Sequence, residues 1–150
     1  MEKGAFDLQE FLPYRLNQAA EAASLGFQKV YRERYGMLRT EWRVLFHLGL
    51  YGSMTAREIG ARAGIHKTKI SRAVSRLEAQ RFLTRKRDEA DRRVENLSLT
   101  PNGRRVYDDL FAVAERYEGD LTAALSTDER ALLRDLLRRI ETAGQAAIRT

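Results

Sequence analysis

The chain contains no cysteine, and that absence closes several routes at once. Disulfides, thiolate metal sites and thiol-based redox sensing are excluded. Histidine is nearly absent too. His47 and His66 are the 2 present, too few for a His-rich metal centre and too far apart in sequence to suggest paired catalysis. No Gly-rich phosphate loop occurs. With no nucleophile–base set to assemble, the chain reads as a non-enzyme without a cofactor or metal. Of the 2 prolines, Pro13 and Pro101, both stand where a helix could begin. The longest nearly apolar run, Val44 to Tyr51, is broken by His47 and is far too short to cross a bilayer. The segment from Met1 to Pro13 has no signal-peptide pattern, so a cytoplasmic location is expected.

What is present in excess is positive charge, and it is concentrated. Residues 57–105 hold 14 Lys/Arg against 6 Asp/Glu, while the remainder holds 13 against 15. One third of the chain therefore carries all of the net +6. Such asymmetry suits a polyanion, although an Arg-rich solvated surface would look the same by charge alone. The local pattern has to decide.

Periodicity divides the chain into helices around a short hairpin. A first helix is predicted from about Pro13 to Tyr35, with Leu16, Ala20, Ala23, Phe27 and Val30 at 3–4 spacing and Gly36 to stop it. A second should start after Thr40 as N-cap, with Trp42, Leu45, Phe46 and Gly49 facing inward, and end at Gly52. Thr55 and Glu58 have the spacing of a capping box for a third helix ending near Gly64. The fourth is expected over His66–Gln80. Then the period changes to that of strands, at Phe82–Arg87 and Val94–Leu99, around a polar turn. A fifth helix should run from Pro101 to Leu125. Ser126 and Glu129 open a sixth, with Leu132, Leu133, Leu136, Leu137 and Ile140 on one face.

The middle of the chain has the spacing of a helix-turn-helix. Two helices that cross closely need a small residue in the first, a Gly in the turn and apolar residues at fixed offsets. Gly60, Gly64, Ile59, Ala63, Ile65, Ile70, Ala73 and Val74 meet those needs. On the fourth helix, Ile70, Ala73, Val74 and Leu77 cluster on one side. Opposite lie Thr68, Arg72, Ser75 and Ala79, flanked by Lys69, Ser71 and Arg76, with no acid among them. A solvated face usually mixes Glu with Lys. This one is suited to a major groove, where Arg reads guanine O6 and N7 and Ser or Thr meets phosphates or base edges. The hairpin adds Arg87, Arg92 and Arg93, and an Arg on a narrow ribbon fits a minor groove. Asp91, two residues before Arg93, either orients that guanidinium or is an ordinary turn former.

Residues 40–105 resemble the MarR family of bacterial regulators. The resemblance lies in the stretches Glu41–Leu45, Ile59–Gly64, Lys67–Leu77, Asp91–Arg93 and Leu97–Gly103. It implies a mainly α fold with a small β-hairpin wing. A winged helix-turn-helix lobe at 40–100 would sit between the segments 1–38 and 105–150, which form a helical dimerisation lobe of one MarR-like chain, 1–150. It further implies a homodimer on a pseudo-palindromic operator in double-stranded DNA, acting as a repressor released by a small, aromatic-acid effector. Lys67, Thr68, Lys69, Ser71, Arg72, Ser75 and Arg76 would then meet the major groove. Arg87, Arg92 and Arg93 would serve the wing, with Asp91 orienting Arg93. An effector pocket is expected where the first two helices meet, at Tyr14, Arg15, Arg39, Trp42, Arg43 and Phe46. There an Arg beside aromatic rings suits a carboxylate, while Trp42 and Phe46 equally suit a core. The alternative is a winged-helix protein that contacts another protein or RNA.

Overall fold

A computed structural model describes residues 5–148. The chain divides into two compact units, Met1–Ala114 and Glu115–Thr150. The first begins with a 3-10 turn, Leu8–Glu10, followed by α1 (Leu12–Tyr35) and α2 (Arg39–Tyr51). Next come β1 (Met54–Thr55), α3 (Ala56–Ala63), α4 (Lys67–Ala79), β2 (Leu83–Arg87) and β3 (Glu95–Leu99). The long α5 (Pro101–Leu121) leads into the second unit, whose main element is α6 (Thr127–Ile148). Among the described residues, no helix is long and apolar enough to cross a membrane.

The architecture is mainly α with a hairpin wing, as expected, but the sheet has a third strand. β1 pairs antiparallel with β3 through Met54–Leu97 and Thr55–Asn96. β2 pairs with β3 from Leu83–Leu99 to Arg87–Glu95, so the order is β1-β3-β2. Two residues carry no periodicity, which is why β1 is invisible in sequence. The core of this unit is built from Met37, Leu45, Leu48, Ile59, Leu77, Leu97 and Leu110, all essentially buried.

Most boundaries follow local chemistry. Thr55 accepts from the Glu58 amide and Glu58 accepts from the Thr55 amide, completing the capping box of α3. Gly64 ends that helix at φ 68°, a conformation open to glycine without a steric penalty. Ser126 and Glu129 make the same reciprocal pair before α6.

Three expectations are corrected. The N-cap of α2 is Leu38 rather than Thr40, because the Glu41 carboxylate reaches back to accept the Leu38 N–H at 3.1 Å. The fully buried line of α2 is Glu41, Val44, Leu45 and Leu48, one residue away from the line through Trp42 and Phe46, which are half-buried. The fifth helix stops at Leu121, not Leu125. The Thr122 hydroxyl donates back to the Glu118 carbonyl and the chain then turns through Leu125 N–H to Thr122 O.

Candidate nucleic-acid interface

The turn between α3 and α4 is tight because Gly60 allows it. A Cβ there would stand 3.1 Å from the Ile65 carbonyl and 3.5 Å from the Ile70 side chain. His66 then caps α4, its ring accepting from the Thr68 amide. Ile70, Ala73, Val74 and Leu77 are buried, which turns the opposite face outward. Lys67, Thr68, Lys69, Ser71, Arg72, Ser75 and Arg76 are all exposed, as the periodicity predicts. A groove of about 720 Å³ runs beside this helix, floored by Ile65, Ile70 and Val74 and rimmed by Arg57, Lys67 and Ser71.

The cations are not equivalent. Lys67, Lys69 and Arg72 have no ion-pair partner among the described residues. Arg76 does: its Nε lies 2.8 Å from Glu41 Oε2 on α2. Glu41 is 2% exposed. Ser75 accepts from Arg85 Nη2 at 3.3 Å. Arg85 is in turn held between Glu78 and Glu95, at 3.0 and 3.5 Å. The base of the wing is thus balanced in charge, and its free cations stand nearer the tip.

At that tip Asp88 accepts from the amides of Ala90 and Asp91, shaping the turn. Asp91 accepts from both the amide and the guanidinium of Arg93. Turn former and orienting partner, the two readings of Asp91, are therefore one arrangement. The Arg93 side chain and amide hold the Asp91 carboxyl below its usual range, by hydrogen bonds to its charged form. Arg87 donates to the Arg92 carbonyl at 3.4 Å, and Arg92 points to solvent.

The six expected pocket residues are not gathered in one place. Trp42 and Phe46 belong to a ring cluster with Phe27, Tyr31, Tyr107 and Phe111, with Trp42 5.2 Å from both Phe27 and Phe46. Burial raises the Tyr31 hydroxyl pKa, and the neighbouring Arg39 works against that rise. Arg39 also pairs with Glu21 at 3.6 Å. Arg43 is used otherwise, donating to the Ala63 carbonyl at the end of α3. Tyr14 and Arg15 lie roughly 18–20 Å along α1 from Phe27 at the helical rise per residue. Tyr14 accepts from Gln18, and Arg15 donates to Gln9.

Sequence reasoning missed the partners of Arg76 and Arg85 and the capping role of Arg43. A signal existed for one of them. Glu41 shares the spacing i, i+3, i+4, i+7 with Val44, Leu45 and Leu48, which puts a carboxylate on a core line. A buried acid at such a position demands a cation.

Comparisons with known proteins agree with this geometry. A MarR family model matches residues 35–94. The HTH-type transcriptional regulator YwaE of Bacillus subtilis is 28% identical over 106 residues, 71% of this chain. That match spans 62% of YwaE, less than two thirds of its length. The HTH-type transcriptional regulator FarR of Neisseria gonorrhoeae is 27% identical over 123 residues, covering 81% of this chain and 83% of FarR. Among solved structures, the PcaV transcriptional regulator of Streptomyces coelicolor, in complex with its natural ligand, superposes with a TM-score of 0.80 at 27% identity. That superposition covers 93% of this chain and 98% of PcaV.

Proposed function

We propose that the winged helix-turn-helix of this chain, which a MarR family model matches over residues 35–94, is a MarR-type domain, and that the protein is a sequence-specific regulator of transcription that binds a pseudo-palindromic operator in duplex DNA as a homodimer. The observation that carries the reading is the outward face of α4. It is helical and solvent-exposed, and it offers Lys67, Lys69 and Arg72 unpaired beside Thr68 and Ser71. Such a face enters a major groove of about 12 Å width, where Arg72 can reach a guanine edge with two donors. Ser75, held by Arg85, sits at the edge of the same surface. The wing carries Arg87, Arg92 and Arg93 toward the flanking minor groove, with Asp91 aiming Arg93.

The segments 1–38 and 105–150 supply the dimer contacts, and 40–100 the DNA-binding lobe. Within the second unit, α6 turns a row of large apolar residues outward, from Leu132 at 54% exposure to Ile140 at 41%. An unsupported row of that kind suits a partner helix. Two recognition helices would then stand about one turn of DNA, ~34–36 Å, apart. The regulator acts as a repressor released by a small aromatic acid. The ligand-bound PcaV relative supports an effector. So does Arg39, a cation beside Tyr31 and the half-buried Trp42 ring.

The test is selection of genomic fragments on the purified protein, with and without aromatic acids, followed by anisotropy titration of the selected duplex. Arg72→Ala should weaken binding to that duplex by about 1–3 kcal/mol and relax preference at one base position. Binding indifferent to salt between about 50 and 200 mM would remove a phosphate-dominated interface, and the regulator reading with it.

A further inference from the structure

We propose that Glu41 is the residue that positions the recognition helix α4, and that it does so by holding Arg76 away from DNA. The inference rests on the DNA-binding reading above and refines which cations take part in it. Glu41 lies on the buried line of α2 with Val44, Leu45 and Leu48. A carboxylate there is expensive to desolvate unless both oxygens are satisfied. Oε1 accepts the Leu38 N–H at 3.1 Å, and Oε2 is met by the positive charge of Arg76, in an ion pair with Nε 2.8 Å away.

The geometry uses Arg76 at its inner nitrogen. The close approach of Nε ties the root of the guanidinium to α2, while the Arg76 side chain as a whole stays 53% exposed. The pair is also formally neutral, which removes most of the attraction of Arg76 for a phosphate. Helix dipoles favour the same arrangement. Glu41 stands in the first turn of α2 and Arg76 in the last turn of α4. Two positions along α2, Arg43 donates to the Ala63 carbonyl at the end of α3. One helix therefore grips both members of the helix-turn-helix with a pair of polar side chains, and Glu41 sets the angle at which α4 is presented. Arg76 resembles Arg72 in sequence and differs from it in role.

The experiment compares salt dependence of binding for wild type, Glu41→Gln and Arg76→Gln. The probes are a random-sequence duplex of about 30 base pairs, long enough for two half-sites, and a duplex of the same length holding the selected operator. Each phosphate contact contributes about 0.9 to the slope of log affinity against log salt. In Glu41→Gln the neutral side chain still accepts from Leu38 but releases Arg76. The slope should steepen by about 0.9 per protomer, and preference for operator over random duplex should fall. In Arg76→Gln, whose amide nitrogen takes the place of Arg76 Nε beside Glu41, the slope should stay at the wild-type value. A slope about 0.9 per protomer shallower in Arg76→Gln would make Arg76 a phosphate contact and overturn the inference. An unchanged slope in Glu41→Gln overturns it as well. If Glu41→Gln does not fold, Arg76→Gln decides alone. Wild-type protein that binds neither duplex defeats the regulator reading instead, a result separable from these.

Discussion

Asp91 and Arg93 meet edge to edge at the tip of the wing, with Oδ1 3.1 Å from Nε and Oδ2 3.3 Å from Nη2, while the Arg93 side chain stays 92% exposed. The carboxylate aims the guanidinium without burying it. Arg93→Ala should weaken binding most on operators with A·T-rich flanks, and Asp91→Ala should do so less. Flank preference unchanged in both variants would place Arg93 outside the minor groove. Because the Asp91 pKa is depressed, its pairing is intact above the ordinary carboxylate range and is lost only as pH falls through the lowered value. Carboxyl NMR should give an Asp91 midpoint below that of an ordinary aspartate, moving upward in Arg93→Ala. A midpoint that does not move would dissolve the pair.

A second expectation concerns the exit from α4. Phe82 N–H donates to the Leu77 carbonyl and Arg81 N–H to the Glu78 carbonyl, a helix ending that needs a left-handed residue at Arg81. Arg81 adopts φ 64° there, the one non-glycine residue with positive φ among those described. Arg81→Gly should therefore raise stability by about 0.5–1 kcal/mol despite the added freedom of the unfolded chain. Thermal unfolding measures it, and a lower Tm would show that the arginine side chain contributes more than its backbone loses.

A third lies between α1 and α5. Asp109 accepts from the Tyr35 hydroxyl and from Arg34, whose Nη1 is 2.9 Å from Oδ2. Burial first, then the Asp109 hydrogen bond and charge, push the Tyr35 pKa up to about 12. A raised pKa on a neutral acid contributes stability that is complete below pH 10 and is lost as pH climbs toward about 12. Tyr35→Phe should cost roughly 1.5–3 kcal/mol at neutral pH, the range for a hydrogen bond to a charged group. It should also flatten the alkaline limb of stability against pH. An alkaline limb unchanged by the substitution would assign it to other groups.

The dimer has its own test. Leu136→Glu places a charge in the exposed apolar row of α6. If that row is an interface, sedimentation at micromolar concentration should show dimer for wild type and monomer for the variant, with operator affinity falling accordingly. A helical variant that remains dimeric would move the interface elsewhere.

The amino-acid sequence alone determined what depends on neighbours a few residues apart. The Thr55–Glu58 and Ser126–Glu129 caps, the Gly36 and Gly64 helix ends and the outward face of α4 are all written in short-range spacing, because caps, turns and helical faces form within one or two turns of chain. The Asp91–Arg93 pair is legible for the same reason. Tertiary structure alone decided which cations are free. Arg72 and Arg76 look alike on a helical wheel. The difference between them is Glu41, 35 residues earlier, which only the packing of α2 against α4 brings within 2.8 Å. Arg85 is likewise neutralised by Glu78 and Glu95, and β1 exists only because β3 lies beside it. Charge pairing and strand pairing act through space, so their partners are set by the fold and not by local sequence.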